Sequence, residues 1–127
     1  MNYNEFQKVF CMQELIQTRE ITEETRKQTI IECIADNYAK QILKNTVEEP
    51  KSALRISKEE NIPLSTVYRK LQKLHDGKLL AVSGSINRDG KRYFLYMSKI
   101  KQVTIHCDLG ELVVECVLND KLQQYID

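Results

Sequence analysis

Apolar residues return every three or four positions through the first third of the chain. Over residues 4–17, Phe6, Val9, Phe10, Met12, Leu15 and Ile16 recur at mostly helical spacing, which predicts an amphipathic helix. Thr22 is placed to cap a second helical stretch, with Glu23 and Glu24 in its first turn. Ile30, Ile31, Ile34, Tyr38, Ile42 and Leu43 carry its stripe to about residue 45. Asp36-Asn37 offers a local cap in the middle, so the stretch reads as one long helix or as two. Pro50 breaks the pattern, because it lacks a donor and turns Glu49 away from helical backbone. Ser52 then caps a short helix to about residue 60, with Ala53 and Ile56 inward. Asn61 tolerates left-handed backbone and Pro63 pushes Ile62 to extended geometry, so that helix stops there. Ser65 reads as the cap of the next helix, whose Val67, Leu71 and Leu74 form one apolar face. Two short helices joined by a turn of about three or four residues make a helix-turn-helix.

After Gly77 the period shortens toward two. Residues 79–86 and 91–97 read as strands, and Asn87-Arg88-Asp89-Gly90 between them is a hairpin signal ending in Gly. A second hairpin is expected from residues 102–107 and 111–118 around Asp108-Leu109-Gly110, with a short tail helix over 119–126. Its Val, Ile and Leu content requires that at least one face be covered.

Charge changes this picture more than composition does. The 127 residues carry 19 Lys and Arg against 18 Asp and Glu, a net +1 that argues against a phosphate partner. The total is an average over unlike parts. Residues 61–101 hold nine basic and two acidic side chains, net +7, whereas residues 1–60 are at −2 and residues 102–127 at −4. The basic block coincides with the helix from Ser65 and the first hairpin. With Val67, Leu71 and Leu74 inward, Ser65, Thr66, Arg69, Lys70 and Lys73 fall on the opposite side and Tyr68 at the boundary. Short hydroxyls and long cations on one carboxylate-free face can reach base edges and phosphates together.

Other chemistries find little support. Every apolar run is interrupted by charge well before the roughly 20 residues that span a bilayer, and the N-terminus lacks signal-peptide character, so a cytoplasmic protein is expected. Cys11, Cys33, Cys107 and Cys116 lie far apart, never as Cys-x-x-Cys, and read as small reduced thiols. His106 and Cys107 are adjacent on a strand and point to opposite faces, so they do not share an ion. Gly77, Gly84, Gly90 and Gly110 are too dispersed for a phosphate-cradling loop. The carboxylate pairs Glu23-Glu24, Glu48-Glu49 and Glu59-Glu60 have no His or Cys beside them. No enzyme activity, metal or cofactor is expected.

The run Lys51-Ser52-Ala53-Leu54-Arg55-Ile56-Ser57, followed by Asn61-Ile62-Pro63-Leu64-Ser65-Thr66-Val67-Tyr68-Arg69-Lys70-Leu71, resembles the winged helix-turn-helix of archaeal ArsR-like transcription regulators. The likeness extends to residues 34–43 upstream and 90–96 downstream, and covers about two-thirds of the chain. Three departures stand out: Glu60 replaces an apolar residue, Asn61 replaces the turn Gly, and Gly77-Lys78 moves the Gly after the reading helix one position early. The metal-sensing members place cysteine clusters near the helix-turn-helix, and no Cys lies between Cys33 and Cys107, so metal sensing is not implied.

Pattern and resemblance, the latter over about residues 30–118, together imply an α+β, mostly helical fold: an N-terminal helical extension (residues 1–28), a winged helix-turn-helix (29–101) and a C-terminal β-hairpin and tail (102–127). The resemblance implies a sequence-specific regulator of double-stranded DNA, usually a homodimer, with the helix from Ser65 in the major groove and the wing on the backbone. Ser65, Thr66, Tyr68 and Arg69 then read bases, Arg69, Lys70 and Lys73 hold phosphates, and Arg88, Lys91 and Arg92 hold the wing. The alternative is a winged-helix protein-interaction module in a larger assembly, with the acidic C-terminal hairpin as its contact surface.

Overall fold

Asp36 decides how the long apolar stripe of the first half folds. In a computed structural model describing residues 18–125, its backbone is extended (φ −93°, ψ 120°), and the stripe divides into α1 (Glu24–Ala35) and α2 (Asn37–Asn45). Asp36 Oδ1 accepts from the Tyr38 and Ala39 amides at 2.9 and 3.4 Å, satisfying two donors that a helix start leaves open. The helix expected over residues 4–17, and Cys11 with it, lie outside the described residues.

The start of the first stripe differs from expectation. Thr22 does not cap α1; Glu23 precedes the helix and makes no side-chain cap bond. Within the segment expected as a helical extension, Thr18–Ile21 is instead a strand, β1, because its backbone pairs with a distant strand and Ile21 reaches the core at 4% exposure. Four residues reading Thr-Arg-Glu-Ile carry no strand signal of their own, so tertiary pairing decides them.

Past α2 the local signals hold. Lys51–Ser52 forms a short strand, β2, and Ser52 Oγ accepts from the Arg55 amide at 3.1 Å to cap α3 (Ala53–Glu60). Asn61 closes α3 in the left-handed region, φ 56°. Ser57 Oγ donates to the Ile62 carbonyl at 2.5 Å and steadies the turn. Ser65 is not the cap of α4 (Leu64–Asp76). The Pro63 carbonyl accepts the first helical bond, from the Val67 amide at 3.0 Å, so Ser65 sits inside the first turn. Glu60 accepts from Asn45 Nδ2 at 2.8 Å and ties α3 to the end of α2.

The C-terminal end of α4 makes both bonds of a Schellman turn: Leu79 N–H to the Leu74 carbonyl at 3.0 Å and Lys78 N–H to the His75 carbonyl at 2.9 Å. Lys78 therefore takes the left-handed position, φ 59°. Gly77 sits in a tight place instead: a Cβ there would meet Thr29 Cγ2 at 3.1 Å, and Arg26 Nε donates to its carbonyl at 3.1 Å.

Four strands follow: β3 (Leu80–Ile86), β4 (Arg92–Ser98), β5 (Ile100–Cys107) and β6 (Leu112–Leu118), with a 3₁₀ turn at Asp120–Gln124 where a tail helix was expected. They form two three-stranded antiparallel sheets ordered β2-β4-β3 and β1-β6-β5. The fold is α+β, with 44% helix and 32% strand among the described residues. Ile30, Ile42, Ile56, Val67, Leu74, Leu79 and Val114 are fully buried in one core reaching from the helices to the second sheet.

Where the two sheets meet the helices, the core turns polar. Asn119, 4% exposed, donates through Nδ2 to the Val47 and Ser98 carbonyls, each at 2.8 Å. Beside it, the Ser98 amide donates to the Thr46 carbonyl at 3.0 Å, and the Asn119 amide to that of Lys99 at 2.8 Å. Paired in this way, buried polar groups hold the crossing from β4 to β5 in one arrangement.

Candidate nucleic-acid interface

Helix α4 has three sides. Val67, Leu71 and Leu74 face the core at 0–2% exposure. Ser65, Arg69 and Gln72, spaced by four and three residues, form the outermost exposed row. Gln72 Nε2 donates to Asp76 Oδ1 at 3.0 Å, which places the helix's one carboxylate at its C-terminal end, away from Ser65 and Arg69. Thr66 is half-buried.

The third side faces α1 and α2, and it changes the reading of two lysines. Lys70 Nζ pairs with Asp36 Oδ2, the free oxygen of the α2 cap, and Lys73 Nζ lies 2.5 Å from Glu32 Oε2. Hydrogen bonds from Lys73 and then Gln28 hold the Glu32 carboxyl below its ordinary range, and Glu32 in turn raises Lys73. Burial pushes Asp36 upward, but Lys70 and the Ala39 and Tyr38 amides outweigh it and leave it lowered. Both lysines expected to grip phosphates thus pair with carboxylates of neighbouring helices, Lys70 half-buried and Lys73 exposed.

The cations of the first hairpin are arranged differently. Asn87 Oδ1 accepts from the Asp89 and Lys91 amides at 3.0 and 2.9 Å, and Gly90 supplies φ 79°, so a tight loop presents Arg88, Lys91 and Arg92 to solvent. Among the described residues these three and Arg69 form no ion pair.

Between helix and hairpin runs a groove of about 320 Å³ lined by Tyr68, Leu71, Gln72 and His75 from α4 and by Val82, Phe94 and Tyr96 from the sheet. The antiparallel register explains why these strand residues meet there: Val82 is opposite Tyr96, Gly84 opposite Phe94 and Ile86 opposite Arg92, so all six share one face. Burial, then the neighbouring Tyr68, pushes the Tyr96 phenol above its ordinary value. No Asp or Glu lines this groove or the slightly smaller depression beside it, formed by Gly84, Ile86, Arg92 and Phe94 with Ser85 and Tyr93.

The structure therefore places Tyr68 in a groove with Phe94, which also borders the hollow that Arg92 lines, leaves Ser65 and Arg69 exposed on α4, and turns Lys70 and Lys73 toward α1 and α2. Sequence reasoning missed Gln72, although it continues the Ser65–Arg69 row. It also missed Phe94 and Tyr96, whose alternation with Arg92 marks one face of a strand. Among the described residues no group of three His, Cys, Asp or Glu is placed to hold a metal ion. Cys33, Cys107 and Cys116 are free thiols, and burial raises the first and last. No described helix is long and apolar enough to cross a membrane. Comparison with protein-family models, curated proteins and solved structures finds no match for this chain.

Proposed function

We propose that the protein is a sequence-specific, double-stranded-DNA-binding transcription regulator of winged helix-turn-helix architecture, similar to archaeal ArsR-like regulators. In this reading α3, the turn at residues 61–63 and α4 are the helix-turn-helix, α4 enters the major groove, and the β3–β4 hairpin is the wing. The observation that carries it is the set of exposed cations without ion pairs, Arg69 on α4 and Arg88, Lys91 and Arg92 on the hairpin, the two elements that line a groove with no carboxylate. A carboxylate there would meet phosphate as like charge while losing water. Ser65, Arg69 and Gln72 are the residues placed to read base edges, an amide such as Gln72 being suited to adenine. Lys70 and Lys73 act as positioning residues that fix α4 against α1 and α2.

The test is duplex binding measured across a salt series. Affinity is expected to fall steeply with salt, and Arg69→Ala, Arg88→Ala and Arg92→Ala each to reduce the slope of log affinity against log salt by about 0.9. Lys73→Ala is expected to leave that slope nearly unchanged. A salt-independent response, or equal effects from Lys73→Ala and Arg92→Ala, overturns the assignment of these residues. We further propose that the protein acts as a homodimer, which would present two copies of α4 to a two-fold operator. Sedimentation at micromolar concentration giving the mass of one chain removes the dimer.

A further inference from the structure

We propose that the groove between α4 and the β3–β4 hairpin takes up one unpaired base, so that the protein prefers DNA duplex interrupted by a short unpaired segment over continuous duplex. This rests on the DNA-binding reading and names the kind of DNA. Phe94 and Tyr68 stand at 56% and 53% exposure on the groove's two walls, although large aromatic side chains are ordinarily spent on the core. Gly84, directly across the ladder from Phe94, leaves the neighbouring place bare: a Cβ there would have nothing within 4 Å. One flank of the Phe94 ring is thus left uncovered by its own sheet.

Charge selects the occupant. Arg92 lines the adjoining depression, Arg88 and Lys91 follow in the same loop, Arg69 lies one residue from Tyr68, and no acid lines either hollow. A second copy seated symmetrically would bring these like charges together. A polyanion neutralises them. Within a continuous duplex, however, both faces of every base are stacked and only edges and sugars are exposed, whereas an aromatic side chain gains most from a free π-face. About 320 Å³ is room for a single ring beside Tyr68 and Phe94 rather than for a run of nucleotides. The rigid row Ser65, Arg69 and Gln72 alongside still fits duplex, so paired DNA with a local opening uses both surfaces.

The experiment compares fluorescence anisotropy of the full chain on three labelled DNAs of one sequence: continuous duplex, duplex with a central bubble of about four unpaired thymines, and the single strand. The bubble is expected to bind about 5- to 150-fold more tightly than the duplex, the range measured for one base stacked on an aromatic residue. Phe94→Ala and Gly84→Val are each expected to erase that difference, bringing bubble affinity down to that of duplex. Gly84→Val is the stringent variant, because the space is open, the backbone is outside the left-handed region and Val favours strands, so its melting temperature should not fall. Equal affinity for duplex and bubble overturns the proposal and leaves DNA binding standing. Binding to none of the three overturns both. A Gly84→Val protein that changes oligomeric state and keeps its bubble preference also overturns it, since the groove then seats a second copy.

Discussion

Lys78 carries a left-handed backbone one residue after the glycine that could have carried it freely. For a side chain with a Cβ this conformation costs about 1 kcal/mol or more. Lys78→Gly is therefore expected to stabilise the protein by up to about 1 kcal/mol, read as a rise of up to about 4 °C in melting temperature. Gly77→Ala should do the reverse, because its Cβ has to displace Thr29 from 3.1 Å while Arg26 is held on the Gly77 carbonyl. At this scale the sequence is legible where a residue acts on its own neighbours. Ser52, Asn61 and Asn87 do what their side chains suggest, since each bonds or bends backbone within four residues. Lys70 is illegible for the opposite reason: its partner Asp36 lies 34 residues back.

At the scale of elements, Glu59 gathers the joint between α2, β2 and α3. Its carboxylate accepts from Lys51 at 2.8 Å, Arg55 at 2.8 Å and Asn45 at 3.2 Å, and these bonds, Lys51 first, lower its pKa from 4.5 to about 2. A carboxyl whose folded pKa is depressed contributes stability that is complete above its unfolded pKa and disappears as pH falls toward the folded one. Melting temperature is thus expected to decline between about pH 5 and pH 2, and Glu59→Gln to flatten part of that decline. An unchanged pH profile in Glu59→Gln would show that the cluster contributes nothing across that range. Elements whose ends carry their own chemistry are readable: α3 and both hairpins, and α4 in all but its first turn. Strand β1 is not, because its partner β6 lies almost a hundred residues later in the chain, nor is the start of α4, because the Pro63 carbonyl, not a side chain, receives the first bond.

For the whole molecule, the buried polar junction matters more than its size suggests. Asn119 holds the carbonyls of Val47 after α2 and Ser98 at the end of β4, so one amide joins the helical half, the first sheet and the last strand. Asn119→Ala takes this donor from both carbonyls, the Ser98 one in a buried position, and is expected to lower unfolding free energy by about 2–4 kcal/mol in a denaturant titration. Asn119→Asp should be worse, since it points an acceptor at two acceptors. In the proposed DNA-binding reading, the ion pairs on the inner side of α4 have a different kind of consequence. With Lys70 and Lys73 matched to Asp36 and Glu32, fewer cations would be free to displace counterions from arbitrary sequence, and encounters with random DNA would be brief. Short dwell times on the wrong sequence would let each molecule visit more of the genome in a given interval.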